Sequence, residues 1–291
     1  MPEPDVSELR PDWINISVLT GVHLAGIAAI LYLALVKCDP ATLLLALALF
    51  WVVGLSVTGG YHRLFAHRTY RAIAPLRLFY LLFGTAAVQN SALRWAADHR
   101  VHHAHADHDG DPYNITRGFW WAHVGWVLFH SPPHPDEDVR DLQADPLVAW
   151  QHRWYVPLAV VFGIGLPTAI AALWGDALGG LLVAGFLRLV LQWQTTFTIN
   201  SVAHWIGSRP YCTTTSARDS SITALISFGE GYHNFHHRFQ ADYRNGVRWW
   251  QLDPTKWFVW TMSRLGIASD LRVTPPEAIR RAREAVLAQR A

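Results

Sequence analysis

The chain has 291 residues, 51% of them hydrophobic and 16% charged, with a mean hydropathy of +0.13. That balance departs from the soluble average towards a membrane protein, and a net charge of +2 with no basic run excludes nucleic acid as a partner. The two cysteines, Cys38 and Cys212, are too far apart to suggest a disulfide framework or a thiolate zinc site, so any metal must be held by nitrogen and oxygen.

Residues 1–12 carry four acidic side chains and three prolines without the basic start of a signal peptide, and read as a short exposed tail. Residues 13–36 are apolar apart from Asn15, Ser17, Thr20 and His23, and 41–61 are apolar again after the break Lys37-Cys38-Asp39-Pro40. Each is long enough for a helix to cross a hydrocarbon core of about 30 Å. Residues 72–92 are interrupted by Arg77, Gln89 and Asn90 and read as an interfacial helix. From 94 to 152 the chain is polar, with a Pro132-Pro133 turn, and suits an aqueous cap. Residues 154–174 and 178–203 form a second apolar hairpin around Gly175-Asp176, and the chain from 204 on is polar again, closing with Ala, Glu and Arg at helical spacing as a solvated or interfacial helix.

The expected fold is therefore all-α: an integral membrane protein with four transmembrane helices in two hairpins under a helical cap. It is one domain over 1–291, divided into tail (1–12), first hairpin (13–61), cap (62–153), second hairpin (154–203) and C-terminal cap (204–291). Both hairpins return the chain to its starting side, and of the 24 basic residues all but Lys37 and Arg188 lie there. The positive-inside rule makes that side, with both termini, cytoplasmic. Arg188 falls within a span, where a guanidinium must face protein or water, and pairing with Gln192 or a neighbouring helix is expected.

Eight of the sixteen histidines fall into three groups: His99, His102 and His103; His233, His236 and His237 at the same spacing; and His62 with His67. On a helix the i, i+3 and i+4 side chains share a face, so each triple is expected to direct three nitrogens at one cation. His62 and His67 are about 140° apart on an ideal helix and converge only if the helix ends or bends between them. Asn200 and His204, four apart, add a ninth nitrogen. Nine imidazoles exceed what one tetrahedral zinc needs, which points to two metal ions. His23, His105, His108, His123, His130, His134 and His152 follow no repeated spacing and read as structural. An iron pair beside a membrane suits oxygen chemistry on an unactivated methylene. No Gly-x-Gly-x-x-Gly is present for a nucleotide, so electrons are expected from a separate protein.

The stretches His-Arg-Leu-Phe-Ala-His (62–67), Asp-His-Arg-Val-His-His (98–103), Asn-Ser-Val-Ala-His (200–204) and Glu-Gly-Tyr-His-Asn-Phe-His-His (230–237), with Asp111-Pro112-Tyr113-Asn114 between them, resemble the boxes of membrane fatty acyl desaturases of the acyl-CoA Δ9 type. The resemblance runs from about Gly54 to Trp257. It implies four transmembrane helices and a di-iron centre held by His62, His67, His99, His102, His103, His204, His233, His236 and His237, with Asn200 holding a metal-bound water and O2 as co-substrate. It also implies a bent acyl tunnel framed by Gln89 and Trp95. Gly54 and Phe50, eight and twelve residues before His62 on one helix face, match positions near the tunnel's end; Gly54 is expected to leave space there and Phe50 to cap it. The implied partners are a fatty acyl thioester or acyl lipid and an electron donor such as ferredoxin, rubredoxin or cytochrome b5 with its reductase. No His-Pro-Gly-Gly signature of a fused cytochrome b5 occurs, His233 stands where front-end desaturases have Gln, and Ala97 stands where animal acyl-CoA enzymes tend to carry Arg, which leaves CoA, acyl carrier protein and phospholipid open as carriers. Related di-iron hydroxylases, acetylenases and terminal-alkene-forming enzymes would use similar boxes, whereas a histidine-rich metal transporter would place its ligands inside the spans.

Overall fold

A computed structural model describes residues 9–130 and 138–290. Most of the expected tail, the Pro132-Pro133 turn and His134 lie outside the described residues. Among the described residues, four helices are long and apolar enough to cross a membrane: Trp13–Leu35, Pro40–Ala66, Tyr155–Ala172 and Ala177–Trp205. Their starts follow from local chemistry. Asp12 accepts hydrogen bonds from the free N–H groups of Ile14 and Asn15, and Asp39 does the same for Ala41 and Thr42, with Pro40 opening the helix. Outward-facing Leu24, Ile27, Leu44, Leu47 and Val156 leave an apolar surface for lipid.

The two hairpins are tied together away from the cap by Asp176, which is 2% exposed. It accepts hydrogen bonds from Tyr32 and from Thr42 Oγ1, the latter at 2.5 Å. The first and fourth spans cross closely, since a Cβ at Gly26 would stand 3.0 Å from Val190 Cγ2. A core of Val22, Leu189, Trp193 and Phe197 forms beside the crossing.

The second span is an α-helix to Leu55 and then a π-helix over Ser56–Ala66. Hydroxyls there bond back into the preceding turn, Ser56 to Val52 O at 2.8 Å and Thr58 to Gly54 O at 2.9 Å, the pattern that loosens regular α winding. The expectation that the helix must end or bend between His62 and His67 is corrected by this widening: His67 N donates to His62 O at 3.0 Å, the i→i+5 bond of a π turn, and both imidazoles stay on one face of a continuous helix.

Arg188 is 2% exposed, and of its two expected partners, Gln192 and a neighbouring helix, it takes the second. Its guanidinium donates to Ala184 O at 3.2 Å, Ala86 O at 2.7 Å and Gly163 O at 2.9 Å. Ala86 ends the helix Ala74–Thr85 and Gly163 lies in a π segment of the third span, so both carbonyls have acceptor capacity to spare. Trp193 Nε1 joins them by donating to Ala87 O at 2.8 Å. The fourth span thus fixes a non-helical turn in which Val88 and Asn90 take positive φ and which delivers Ser91, the cap of the helix Ala92–His105.

Over the spans, Ala74–Thr85 packs across the second span through Tyr80, whose ring lies against Gly60. The cap is closed by a two-residue antiparallel pair, Arg71–Ala72 with Ala268–Ser269. The helix Pro276–Ala288 packs one face, with Ile279 and Ala282, against Tyr211 and Phe235 under the second histidine triple and leaves the rest of its surface exposed.

Candidate metal centre

All nine histidines come together where the spans meet the cap, in two groups whose donor atoms lie within 4.8 Å of one another: His62, His67, His99, His103 and His236, and His102, His204, His233 and His237. Each triple is divided between the groups, which corrects the expectation of one cation per triple. On Ala92–His105, His99 and His103 join the five-histidine group and His102 the other; on His233–Arg238, His233 and His237 join the four-histidine group and His236 the other. The reason is angular. Residues i and i+4 are about 40° apart on an α-helix, whereas i+3 lies about 100° from i+4, so the pair and the single ring face different points. Two such helices, used in opposite sense, knit two neighbouring sites.

The Nε2 atoms face one another across these groups: His67 to His99 at 2.8 Å, His103 to His236 at 2.9 Å, His62 to His236 at 3.0 Å, His233 to His204 and to His237 at 3.1 Å. Two nitrogens bound at about 2.1 Å and at right angles to one cation stand about 3 Å apart, so this donor set fits metal ions. Protonation would destroy it. Burial, reinforced by neighbouring imidazoles, holds His67, His99, His103, His233, His236 and His237 well below the usual imidazole value, leaving neutral rings with lone pairs to share.

A surrounding layer fixes ring orientation. His62 Nδ1 lies 2.8 Å from Glu230 Oε2 and His102 Nδ1 is hydrogen-bonded to Asp111 Oδ1 at 2.8 Å, so a carboxylate faces each Nδ1 and Nε2 is turned to the metal side. His204 Nδ1 lies 2.7 Å from Ser216 Oγ, which in turn contacts Asp107 Oδ1 at 2.5 Å. Burial opposes the charge of Glu230, but His62 and Arg63 more than offset it and hold the carboxyl down at about 2. Arg63 donates to Glu230 Oε1 at 2.8 Å, to Asp253 at 3.0 Å and to Tyr243 O at 2.8 Å. Asp219 accepts from Asn234 N at 2.8 Å and Phe235 N at 3.0 Å, which secures the start of the helix carrying the second triple. His152, read as structural, sits 2.7 Å from the Ser91 hydroxyl at the start of the first triple's helix.

Beneath the histidines a cavity of about 40 Å³ is lined by His62, Trp95, His99, Asn200, Phe228 and His233, among others. Trp95 stacks on His99 with ring centres 4.9 Å apart. Gln89 stands behind the wall, donating to Thr196 Oγ1 at 3.0 Å. The space expected beside Gly54 is filled: a Cβ there would fall 2.2 Å from Phe228 Cζ, and Phe50 packs on that same ring at 5.3 Å. Phe228, Glu230, Asp111, Asp107 and Ser216 were not singled out from the sequence. Glu230 stands within a quoted box and Asp111 in the stretch quoted between boxes, but no spacing rule separates an orienting carboxylate from a surface one.

Residues 40–266 match the model of the fatty acid desaturase family, described as "Fatty acid desaturase". Over 273 residues the chain is 42% identical to a "Probable acyl-CoA desaturase" of Schizosaccharomyces pombe, covering 93% of this chain and 56% of that protein. It is 39% identical over 274 residues to the "Stearoyl-CoA desaturase" of Sus scrofa (92% and 76% covered) and 37% over 276 residues to a Delta(9)-fatty-acid desaturase of Caenorhabditis elegans (92% and 81%). The chain therefore belongs to the fatty acid desaturase family and is a multi-pass membrane protein, while spanning only about half the length of the yeast relatives it matches.

Proposed function

We propose that the protein is an acyl desaturase that introduces a cis double bond, at Δ9, into a saturated acyl thioester, using O2 and electrons from a separate donor protein. The observation that carries this is the pair of buried all-histidine groups beside a cavity to which Val57, Trp95, Ile199 and Phe228 contribute apolar surface, since oxygen chemistry on a methylene needs both. The names of the relatives support the acyl-CoA and Δ9 parts of the reading.

Two iron ions would be held by His62, His67, His99, His103 and His236 and by His102, His204, His233 and His237, and when bound they would supply the oxidising power for hydrogen removal that no side chain has. The chain's own residues supply the rest. Glu230, Asp111 and Ser216 engage Nδ1 of His62, His102 and His204 and keep their Nε2 atoms turned inward. Val57, Trp95, Ile199 and Phe228 exclude water and present apolar walls to a chain, and Asn200 offers a carboxamide to hold a water beside the four-histidine group. The distribution of basic residues supports a cytoplasmic cap, where a soluble or membrane-bound electron donor reaches it.

The test is expression in a host fed isotopically labelled saturated acyl chains of several lengths, with lipid extraction and mass spectrometric localisation of new double bonds. A new cis alkene at C9 is expected, together with two irons per purified chain. The purified chain given O2 and NADPH alone is expected to be silent until a donor such as ferredoxin or cytochrome b5 with its reductase is added. Hydroxylated product in place of alkene would reassign the reaction to a related oxidation.

A further inference from the structure

A cavity of about 40 Å³ accommodates one or two waters, far short of a long alkyl chain, so what the cavity accepts depends on which parts of its wall hold firm. On the side of the second span the wall is formed by Val57 and Thr58 of the span and by Phe228. Its side chain is 2% exposed, and its ring lies where Gly54 lacks a side chain, flanked by Phe50 at 5.3 Å and by Trp51, edge-on, at 5.1 Å. Gly54 stands eight residues before His62 in the same helix, which puts the contact roughly 10 Å below the histidines.

The backbone of Phe228 has φ +57, a conformation uncommon for a bulky residue, although Gly229 stands beside it at φ +98 and would tolerate such geometry freely. The strained position is pinned from three sides. Phe228 O accepts from Thr255 Oγ1 at 3.0 Å, and Thr255 Oγ1 lies 2.7 Å from Thr58 Oγ1 on the second span. Gly229 N donates to Ala224 O at 2.9 Å, and Glu230, the next residue, is fastened to His62 and Arg63. The ring can turn within its pocket but the backbone cannot withdraw without pulling on the carboxylate that orients His62. Strain kept at a residue whose only distinctive feature is its ring is strain kept for the position of that ring.

We propose that Phe228 is the stop that limits how far an acyl chain reaches past the metal centre, an inference that rests on the acyl-modifying reading above. The methyl end of the chain comes to rest against the ring, and the distance from the histidines to the ring sets the longest chain that can place its reacting carbons at the centre. Gly54 is the seat of the stop and Phe50 its outer support.

The experiment measures double-bond position and chain-length profile for wild type, Phe228→Ala, Phe228→Leu and Phe228→Trp in host membranes, with iron content and thermal midpoint of each purified protein. A pocket that excludes one methylene discriminates by about 10–200-fold. Wild-type discrimination against the acyl chain two carbons longer than its optimum is therefore expected to fall at least tenfold in Phe228→Ala, and by a smaller factor in Phe228→Leu. Phe228→Trp is expected to shorten the optimum, and in every case the double bond stays at the same distance from the carboxyl. Gly54→Ala is expected to lower the thermal midpoint in the wild-type background and not in Phe228→Ala, because the three atoms nearest an added Cβ all belong to that ring. An unchanged profile in an iron-loaded Phe228→Ala or Phe228→Leu protein overturns the inference while leaving the desaturase reading standing. Absence of any oxidised acyl product from wild type overturns both.

Discussion

Replacing Glu230 by Gln tests whether orientation of the histidines, as distinct from their mere presence, holds the metal. The substitution keeps the side-chain volume and removes the charge. His62 Nδ1, now 2.8 Å from Oε2, would face an amide of undefined orientation, so that the ring loses its preference for the tautomer with Nε2 bare. Arg63 retains Asp253 at 3.0 Å and Tyr243 O at 2.8 Å, and is not left as an unpaired buried charge. The stability loss is thus expected near that of a charged hydrogen bond, about 1.5–3 kcal/mol, below the cost of stranding an ion. Loss of an orienting partner typically weakens metal binding about 10–100-fold. Because His62 belongs to the five-histidine group alone, the weakening should be confined to one of two sites. Asp111→Asn is the mirror experiment, since its partner His102 belongs to the four-histidine group. Titration of purified proteins with iron under limiting metal, read by elemental analysis, should give one tight and one weakened site in each single variant and two weakened sites in the double. Equal loss at both sites in either single variant, or wild-type loading in both, would refute the division of labour between the groups.

Acidification should destabilise the metal-free protein. The folded chain keeps His67, His99, His103, His233, His236 and His237 neutral well below the value of about 6.5 at which imidazoles of an unfolded chain protonate. Protons therefore favour the unfolded state, stability is complete above about pH 6.5, and it is lost progressively as pH falls below it; thermal midpoints at pH 8, 7, 6 and 5 should drop only across the acid half of the series. Arg188→Ala leaves the carbonyls of Ala86 and Gly163 without a donor at membrane depth, at several kcal/mol, and is expected to abolish recovery of folded protein on size-exclusion of detergent extracts, whereas full recovery would mean that water reaches this position. Asp219→Ala removes the acceptor at the start of His233–Arg238 and should lower stability by about 0.5–2 kcal/mol in denaturant titration, an unaltered midpoint showing that the helix start is held by its surroundings alone.

The four spans and the nine histidines were legible in the sequence because hydropathy and spacing depend on neighbours along the chain. What could not be read depended on partners distant in sequence. The division of each triple between two sites follows from where a second helix stands, and spacing alone placed His99, His102 and His103 on one face without saying that the face meets two centres. Convergence of His62 with His67 required a change of winding that the hydroxyls of Ser56 and Thr58 promote, and such residues are common in spans that stay α-helical. Gly54 was identified as a place where something fits. That the occupant is the ring of Phe228, 174 positions later in the chain, is decided by the turn at Gly229.

The bonding of Arg188 also bears on how the protein is made. The fourth span has the lowest hydropathy of the four, 1.3 against 2.1, 2.2 and 1.8 for the others in order. A guanidinium at its centre would add about 2.5–3.5 kcal/mol to the cost of entering lipid alone. The carbonyls that receive it from other elements, Ala86 O and Gly163 O, both precede it in the chain. A ribosome delivering the chain from its N-terminus has therefore already released the segments that carry both carbonyls when residue 188 emerges. The last span can pass from the insertion machinery onto protein, without a stage in which its charge faces hydrocarbon. Chain order is then part of the folding mechanism, and a rearranged gene encoding residues 154–203 ahead of residues 1–153 would present the arginine to Gly163 O before Ala86 O could accept it.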